Sequence, residues 1–356
     1  MKKLLLYASI VVALCPCLHA QEDSLSFSML VCFYNTENLF DPENDSLTMD
    51  EAFTPDGLNH WGYKRYFHKI NALAKVILAM GEGNPPTLIG LAEIENARVL
   101  QHLCTRSPLK KYAYRYVHHD SPDRRGIDVA LLYRPDKITI LQEFSIPVIF
   151  PFDPSSRNRD ILYTAIQCPS GDTLHLFVNH WTSRYGGVGA TIAKRNYYAS
   201  RLRQQVDSIF FTQPDAAICI VGDFNDYPSD PSLRDSLRAL NPQKTPKEKK
   251  ELFNLMDNFS PWKNEGTHKQ GAFWGCLDQC IVSTSLLTPR HPLQIENGQA
   301  EIFRAPFLLE DDEKYGGKKV YRTFLGPRYI GGYSDHLPIR VKIVATPPQN
   351  SFFAPE

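Results

Sequence analysis

Residues 216–226 read AAICIVGDFND, a strongly apolar run that ends in two acids and an amide. The β-branched residues of the run and the glycine near its end are typical of a buried strand. A single polar residue at the end of such a strand usually caps it or forms a turn. Asp223 and Asn225 would be ordinary turn formers if no other strand of the chain ended in this way.

Six further apolar runs have a similar strand-like composition. They are SMLVCFY (28–34), TLIGLAEI (87–94), IDVALLY (127–133), TLHLFVNHW (173–181), LDQCIV (277–282) and LPIRVKIV (337–344). Two longer stretches, residues 63–80 and 191–210, repeat apolar side chains at three- and four-residue steps, which predicts helices. Because strands alternate with helices and residues 127–181 also have hairpin-like spacing, we predict an α/β fold, a mixed sandwich and not a purely parallel sheet.

Five of these runs also begin or end in acids, amides or histidines. The residues are Asn35, Glu37, Glu93, Asn179, His180, Asp278, Asp335 and His336. Carboxylate and amide oxygens without cysteine favour a hard cation such as Mg²⁺, Mn²⁺ or Ca²⁺. Histidines can donate protons at an anionic centre, and a carboxylate can orient or deprotonate water. Together these groups meet the needs of metal-assisted attack of water on a phosphate ester.

The composition narrows the choice of function. The chain has 356 residues, and its 39 lysines and arginines balance its 39 aspartates and glutamates. A balanced chain has no overall positive field to draw it onto nucleic acid or an anionic membrane, so phosphate binding requires a local site. The sequence contains neither a G-x-S-x-G nor a Walker-A motif, which argues against a serine hydrolase and a nucleoside triphosphatase.

The first twenty residues have the layout of a signal peptide. Lys2 and Lys3 precede an apolar stretch, and we expect cleavage after Ala20. A membrane anchor is the alternative, but the apolar stretch is shorter than a bilayer span. Cys15 and Cys17 also leave a lipoprotein possible. We therefore predict export to the periplasm or the cell exterior, with residues 21–356 forming one domain that is a monomer and does not insert stably into the membrane.

The polar motifs resemble a known superfamily in their order along the chain. They are Asn35-Thr36-Glu37-Asn38, Ala92-Glu93-Ile94, Arg125-Gly126-Ile127-Asp128-Val129-Ala130, Asn179-His180-Trp181, Gly222-Asp223-Phe224-Asn225, Leu277-Asp278 and Ser334-Asp335-His336. By these motifs the chain is identified as a member of the endonuclease/exonuclease/phosphatase superfamily, which has the DNase I-like fold. The resemblance covers about residues 28–345. FYNTENLF (33–40), NHWTSRYGG and GGYSDHLPI also resemble a secreted bacterial branch of it. The resemblance implies a four-layered α/β sandwich, in which two packed mixed sheets are flanked by helices.

The resemblance implies a metal site at one end of the strands. Glu93 matches the glutamate that holds the divalent cation in the superfamily. Asn35 and Glu37 match the residues of the first strand that lie around the metal, although many relatives have aspartate at the position of Glu37. Asp335 matches a residue on or near the metal. The expected ion is Mg²⁺ or Mn²⁺, with Ca²⁺ as a further possibility.

The resemblance also implies a set of catalytic residues. Asp223 matches the acid that orients or deprotonates the attacking water, and Asn225 matches the amide that holds the phosphoryl oxygens. His336 matches the histidine that donates to the scissile phosphate, and Asp278 the acid that orients this histidine. His180 matches a second histidine that some branches use as an acid or phosphate donor.

Three arginines are further candidates for contacts with a substrate phosphate. Arg184 lies in the segment SRYGG, where two glycines would let backbone approach a phosphate closely. Arg125 begins the motif Arg125-Gly126-Ile127-Asp128-Val129-Ala130, and Arg159 is the third candidate. An ion pair or a surface position explains each of the three arginines equally well.

Three functions remain open on the sequence. The first is a secreted, metal-dependent phosphodiesterase that acts as a nuclease on DNA or RNA. The second keeps the chemistry and changes the substrate to a small or lipid phosphoester, as in relatives that cleave sphingomyelin or phosphoinositides. The third is a non-catalytic binding module, which the presence of Glu93, Asp223, Asn225, Asp278 and His336 argues against.

Overall fold

The computed structural model of the chain describes residues 27–244, 248–260, 263–289 and 291–345. The signal peptide expected at 1–20 lies outside the described residues. The helices are α1 (Tyr63–Met80), α2 (Ala97–Thr105) and α3 (Val188–Thr212). The strands are β1 (Phe27–Leu39), β2 (Leu88–Ile94), β3 (Arg115–His118), β4 (Asp128–Tyr133), β5 (Thr139–Ile146), β6 (Ile161–Gln167), β7 (Thr173–His180), β8 (Ala217–Asp223), β9 (Ala239–Leu240), β10 (Leu252–Asn254), β11 (His268–Gln270), β12 (Phe273–Gly275), β13 (Asp278–Ser283), β14 (Leu293–Ile302), β15 (Leu309–Asp311), β16 (Lys318–Val320), β17 (Phe324–Leu325), β18 (Arg328–Tyr329) and β19 (Ile339–Ala345).

Two large sheets carry most of these strands. The first has the order β14-β19-β1-β2-β4-β3, and the second has the order β5-β6-β7-β8-β13-β10-β9. Each sheet is mixed, because β1 pairs with β2 and β7 pairs with β8 in parallel, while β19, β4, β6 and β13 pair with their neighbours in antiparallel fashion. The hairpins β11-β12, β15-β16 and β17-β18 stand apart as two-stranded sheets.

Three separate apolar clusters define four layers. One cluster fills the space between the two sheets, one lies between the first sheet and the helices α1 and α2, and one lies between the second sheet and α3. The order is therefore helices, first sheet, second sheet and helix. This confirms the predicted four-layered α/β sandwich.

The alternation of side chains along β1 shows why its sequence is apolar on both faces. Val31 and Phe33 belong to the cluster between the sheets, whereas Cys32 and Tyr34 belong to the cluster beneath α1. Successive residues of a strand point to opposite faces, and a strand covered on both faces reads as a continuous apolar run. Burial of each such side chain contributes roughly 1.5–3 kcal/mol. The central strands are thus fixed in place by burial.

The predicted apolar face of the first helix is confirmed. Tyr66, Ile70, Leu73, Ile77 and Met80 of α1 are all fully buried. The helix predicted at 191–210 is also present, but α3 extends a few residues further at both ends.

Residues 97–105 form α2, a helix that the sequence pattern does not predict. Asn96 is the N-cap of α2, since its side chain accepts a hydrogen bond from Val99 N at 3.1 Å. No helix among the described residues is long and apolar enough to cross a membrane. The six cysteines of the described residues are all buried and unpaired.

Candidate active site

In the second sheet, strand pairing brings three predicted site residues to one edge. Parallel pairing of β7 with β8 sets His180 beside Asp223, and antiparallel pairing of β13 with β8 sets Asp278 on its other side. Gly222 makes this close pairing possible, because a Cβ atom there would lie 2.4 Å from the Asn179 carbonyl oxygen. The glycine of the GDFN motif is therefore a packing requirement of this edge.

In the first sheet, two bulges aim the strand ends toward the same edge. The register between β1 and β2 shifts after Asn35, and the register between β2 and β4 shifts around Glu93. Glu93 has a φ of +62°, a left-handed conformation that a non-glycine residue rarely adopts. Bulges re-aim side chains and are common beside functional sites. The two sheet edges meet where Asn35 Nδ2 donates to Asp223 Oδ2 at 3.1 Å.

His336 and Asp278 form a buried hydrogen-bonded pair. His336 Nδ1 lies 2.7 Å from Asp278 Oδ2, and His336 Nε2 lies 3.7 Å from Asp223 Oδ2. Burial alone would lower the pKa of His336, but the carboxylates of Asp278 and Asp223 outweigh it and raise this pKa well above its usual value. The imidazole is thus held as a cation whose Nε2–H is free to serve an anion in the cleft.

Asp223 is surrounded by donors yet buried. Its Oδ1 accepts the backbone N–H of Asn225 at 2.9 Å, and its Oδ2 accepts from Asn35. Burial raises the pKa of Asp223 to about 7, against the opposing effect of the His336 charge. Asn225 has a φ of +51° and donates its side-chain amide to Trp181 O at 3.2 Å. Asparagine tolerates this conformation better than most residues, which accounts for its place in the motif.

Glu93 and His180 complete the wall of the site. Glu93 Oε2 accepts the Asn38 N–H at 2.8 Å, while Glu93 Oε1 lies 3.7 Å from Arg125 Nη2 and 3.9 Å from His180 Nε2. Burial, with help from Arg159 and Arg125, lowers the pKa of His180 well below its usual value. His180 is therefore a neutral imidazole here, in contrast to His336.

These residues surround one cleft of about 300 Å³. Its lining includes nine of the twelve predicted site residues: Asn35, Glu93, Arg125, His180, Arg184, Asp223, Asn225, Asp335 and His336. Asp278 lies behind His336 and reaches the cleft through that imidazole.

Glu37 lies apart from the cleft. Its carboxylate accepts hydrogen bonds from Arg322 Nε at 3.0 Å and from the Thr323 N–H at 2.6 Å, and Lys69 lies nearby as a further cation. Arg322 in turn bonds Asp335 Oδ2 at 3.0 Å. Glu37 therefore holds Arg322, which holds Asp335 at the cleft, and a direct contact of Glu37 with metal stays a prediction.

The three candidate arginines occupy different environments. Arg184 donates to the Asn225 carbonyl oxygen at 2.6 Å and to Asp226 and Asp230. Most of its hydrogen-bond donors are therefore used within the loop after β8. Arg159 is buried and bonds the carbonyl oxygens of His180 and Trp181, which makes it part of the scaffold.

Arg125 differs from the other two because it is half exposed. Its Nη2 donates to Asn38 Oδ1 and approaches Glu93 from the solvent side of the cleft. Of the three arginines, it is the one placed most openly for an incoming phosphate.

His268 also lines the cleft and is not among the residues that the sequence predicts. It forms an isolated bridge with His336, and the two ring centroids lie 4.9 Å apart. Burial and the neighbouring His336 charge lower its pKa to about 4. His268 lies on the three-residue strand β11, with no apolar run beside it, so no sequence signal marks it.

The donor set fits a hard divalent cation. Glu93 Oε1 faces the cleft and accepts no hydrogen bond from any described residue, and Asp223 and Asp335 bring two more carboxylates to the same lining. Two groups of three residues at the cleft have possible ligand atoms within 4.8 Å of one another. The first group is His268, Asp335 and His336, and the second is Asp223, Asp278 and His336. None of the six cysteines in the part of the chain that the structure describes lines this cleft. Oxygen donors without thiolate are the ligands that Mg²⁺ and Mn²⁺ prefer.

Known structures share this fold along nearly the whole chain. The human nocturnin catalytic domain, solved with bound sulfate, is 16% identical with a TM-score of 0.53 and covers 90% of this chain and 95% of that chain. A mannosyl-6-phosphatase of Bacteroides thetaiotaomicron is 15% identical, with a TM-score of 0.55 and coverage of 88% and 99%. A humanized TDP2 of D. rerio is 15% identical, with a TM-score of 0.52 and coverage of 89% and 98%. No curated protein matches the chain.

The fold and the cleft define a hydrolase that acts on phosphate esters. The model of the Endonuclease/Exonuclease/phosphatase family matches residues 30–345, and the chain belongs to that family. Members of the family generally depend on a divalent metal, which agrees with the donor set of the cleft.

Proposed function

We propose that the chain is a divalent-metal-dependent phosphodiesterase whose main substrate is nucleic acid. The observation that carries the proposal is the pairing of Asp223 with a cationic His336 across a cleft. The two groups lie 3.7 Å apart and do not hydrogen-bond each other directly, so each keeps capacity for a substrate. A base and an acid of this kind are what water attack on phosphorus requires.

Each residue of the cleft has a role in this proposal. Asp223 accepts the proton of the attacking water, and His336 donates to the phosphoryl group as negative charge develops. Asn225 and the neutral His180 hold phosphoryl oxygens without adding charge. Asp278 keeps the His336 imidazole oriented and protonated.

Glu93, Asn35 and Asp335 would hold the cation. When bound, a divalent ion supplies positive charge that polarises the phosphoryl oxygen and stabilises the charge of the transition state. Mg²⁺ or Mn²⁺ is proposed, with Ca²⁺ as a further possibility. Glu37 acts behind this set by holding Arg322 against Asp335.

A small or lipid phosphoester is the second candidate substrate. The catalytic cleft, at about 300 Å³, has room for a single compact phosphoester. The net charge of +0 also gives a polyanion no long-range attraction. The fold does not distinguish between the two substrate classes, because it occurs both in a mannosyl-6-phosphatase and in a TDP2 solved with single-strand DNA product.

The first test is hydrolysis by the chain from residue 21 onward with Mg²⁺, with Mn²⁺ and with EDTA. The substrates are plasmid DNA, RNA, bis-p-nitrophenyl phosphate, p-nitrophenyl phosphate and sphingomyelin. Metal-dependent cleavage of DNA or RNA is expected. Turnover of the monoester or the lipid with nucleic acid untouched would overturn the nuclease proposal and leave a phosphatase or phospholipase-like enzyme.

Two variants test the site itself. Asp223→Asn and His336→Ala should each lower kcat by about 100-fold to 10,000-fold while circular dichroism stays unchanged. Asp235→Asn is the control, because Asp235 is an exposed aspartate whose side chain, among the described residues, pairs with its neighbour Arg234 alone. Full activity in either site variant would contradict the assignment.

We also propose that the chain is exported, belongs to a secreted bacterial branch of the family and acts as a monomer. The layout of residues 1–20 supports export. N-terminal sequencing of the protein from the exported fraction should begin at Gln21. A mature protein that begins at Met1 would overturn this proposal.

A further inference from the structure

A second surface continues from the catalytic cleft. Two adjoining cavities, of about 460 and 360 Å³, lie next to it. The larger shares Arg125, Ser183 and Tyr185 with the cleft, and the smaller shares Arg125 and Arg157 with the larger. We call this continuous surface the basic groove and define it by Arg124, Arg125, Ser156, Arg157, Tyr185 and Lys194.

The basic groove carries uncompensated positive charge. Lys194 pairs with Asp153 at 2.8 Å, and the buried Arg159 beneath the groove pairs with Asp123 at 2.8 Å. The side chains of Arg124 and Arg157 are exposed, and neither side chain makes a hydrogen bond or ion pair with the described residues. Because the whole chain has a net charge of +0, this concentration of free cations marks a particular surface.

An exposed aromatic ring stands where the cleft meets the groove. Tyr185 is 94% exposed and lines both the cleft and the larger cavity of the groove. It precedes Gly186 and Gly187, whose φ values of +86° and +112° shape the loop that presents it. An aromatic face beside a cationic track is the arrangement that binds single strands, with bases stacked on the ring and phosphates on the cations.

We propose that the basic groove binds a single strand of nucleic acid next to the scissile phosphate. The base beside the scissile bond stacks on Tyr185, and the following phosphates contact Arg157 and Arg124. A lipid tail is a poor occupant, because the two cavities of the groove are lined mainly by charged and polar side chains, the paired carboxylates of Asp123 and Asp153 included. The inference rests on the proposed phosphodiesterase function and adds to it the class of substrate and the path of the strand.

Hydrolysis of oligonucleotides of increasing length tests the groove. We compare single-stranded DNA of 2 to 12 nucleotides with bis-p-nitrophenyl phosphate, which is too small to reach the groove. The ratio kcat/KM should rise with length and level off once the strand fills the groove. Absence of any rise with length would overturn the proposal.

Variants of the groove make the test specific. The double variant Arg124→Ala/Arg157→Ala should raise KM for the 12-mer about tenfold. It should also make the salt dependence of this KM shallower, by about 0.7 in log–log slope for each phosphate that the variant no longer neutralises. Tyr185→Ala should raise this KM about tenfold, and Tyr185→Phe should restore it, because stacking needs only the ring. Hydrolysis of bis-p-nitrophenyl phosphate by the arginine double variant should match wild type, which also shows that it folds.

Arg115→Ala is the matched control for the arginines. Arg115 is exposed and pairs with Tyr133 at the end of β4 that points away from the groove. The Arg115→Ala variant should have the same KM for the 12-mer as the wild type. An equal rise in KM in the control and in the double variant would overturn the groove as the binding surface.

The outcomes separate this inference from the proposed function. Absence of all phosphodiester hydrolysis in the wild type would mean that the proposed function fails. Hydrolysis of oligonucleotides that is unchanged in the groove variants would leave the function standing and overturn the groove. Turnover of sphingomyelin vesicles that falls in the groove variants, with oligonucleotides untouched, would overturn nucleic acid as the occupant.

Discussion

At the scale of single residues, two of the three histidines that line the cleft are held by their surroundings in opposite charge states. His336 faces Asp278 and Asp223, which raise its pKa despite burial. His180 is buried near Arg159 and Arg125, and its pKa is lowered. The sequence places both histidines at strand ends but gives no sign of this difference, because it depends on charges that are distant along the chain.

Asp278→Asn should change both the rate and its pH dependence. The amide keeps the shape of the side chain but removes the negative charge that helps to raise the pKa of His336. His336 then loses its proton at lower pH, so the alkaline limb of the kcat/KM profile should shift toward acid. We expect kcat to fall by about 100-fold. The measurement is a pH–rate profile with bis-p-nitrophenyl phosphate.

Asp128→Asn is the control for that prediction. Asp128 is a buried carboxylate whose Oδ2 lies 3.2 Å from His118 Nε2, and it does not line the cleft. Its replacement should leave the alkaline limb in place. An unshifted limb in Asp278→Asn, with kcat retained, would show that Asp278 does not tune His336.

The orientation of the Glu37 side chain cannot be predicted from the sequence. The resemblance to the superfamily predicts Glu37 beside the metal, because Glu37 matches a residue of the first strand that lies around it. Its backbone is left-handed, with a φ of +53°, and its carboxylate meets Arg322 at a separation of 285 residues. A local pattern cannot report a partner so far along the chain.

At the scale of elements, α1 covers the first sheet and also holds a segment of the chain beside the cleft. Lys69 is fully buried on this helix and donates to Thr323 Oγ1 and to the Tyr333 carbonyl oxygen, both at 2.5 Å. Burial lowers its pKa to about 8, while Glu37 acts to keep it charged. The helix thereby fixes the segment that carries Arg322 and leads to Asp335.

Lys69→Met should destabilise the fold. Methionine fits the length of the side chain but removes a buried positive charge near Glu37 and takes a donor away from Thr323 Oγ1 and the Tyr333 carbonyl oxygen. A buried polar group left without its partner costs about 1–3 kcal/mol. The measurement is urea unfolding at pH 7. Lys64→Met on the same helix is the control, because Lys64 is exposed. A free energy of unfolding equal to that of the control would contradict this role for Lys69.

The elements that can be predicted from the sequence are the ones with long apolar patterns. All seven predicted strands and both predicted helices are present. α2 has nine residues, too few for a clear periodicity, and β11 has three. His268 cannot be predicted from the sequence because β11 is so short. Its place in the cleft is set by its bridge to His336 and not by its own strand.

At the scale of the whole molecule, the site exists only where the two sheets meet. Asn35 and Glu93 belong to the first sheet, whereas His180, Asp223 and Asp278 belong to the second. The hydrogen bond from Asn35 to Asp223 joins the two edges. The family match over residues 30–345 agrees with the predicted extent of 28–345, and formation of a single domain by residues 21–356 stays a prediction.

The distance between the sheets should therefore set the activity. Gly90 lies on β2 three residues before Glu93, where the second sheet packs closely against it. A Cβ atom there would lie 3.1 Å and 3.2 Å from the two methyl carbons of Val178 and 3.2 Å from Phe33 Cδ2. A larger side chain at this position has to push the second sheet, with Asp223, away from Glu93.

Gly90→Val should lower both stability and turnover. Overpacking costs about 1–3 kcal/mol, and a displacement of about 1 Å at the reacting groups can cost about 100-fold in rate. The measurements are urea unfolding by circular dichroism and kcat for bis-p-nitrophenyl phosphate under conditions where the variant is fully folded. Adding Val178→Ala removes the two methyl groups that valine would meet, so the double variant should recover most of the lost kcat. If Gly90→Val is destabilised but keeps full kcat, or if the double variant recovers nothing, the spacing of the sheets does not control the site.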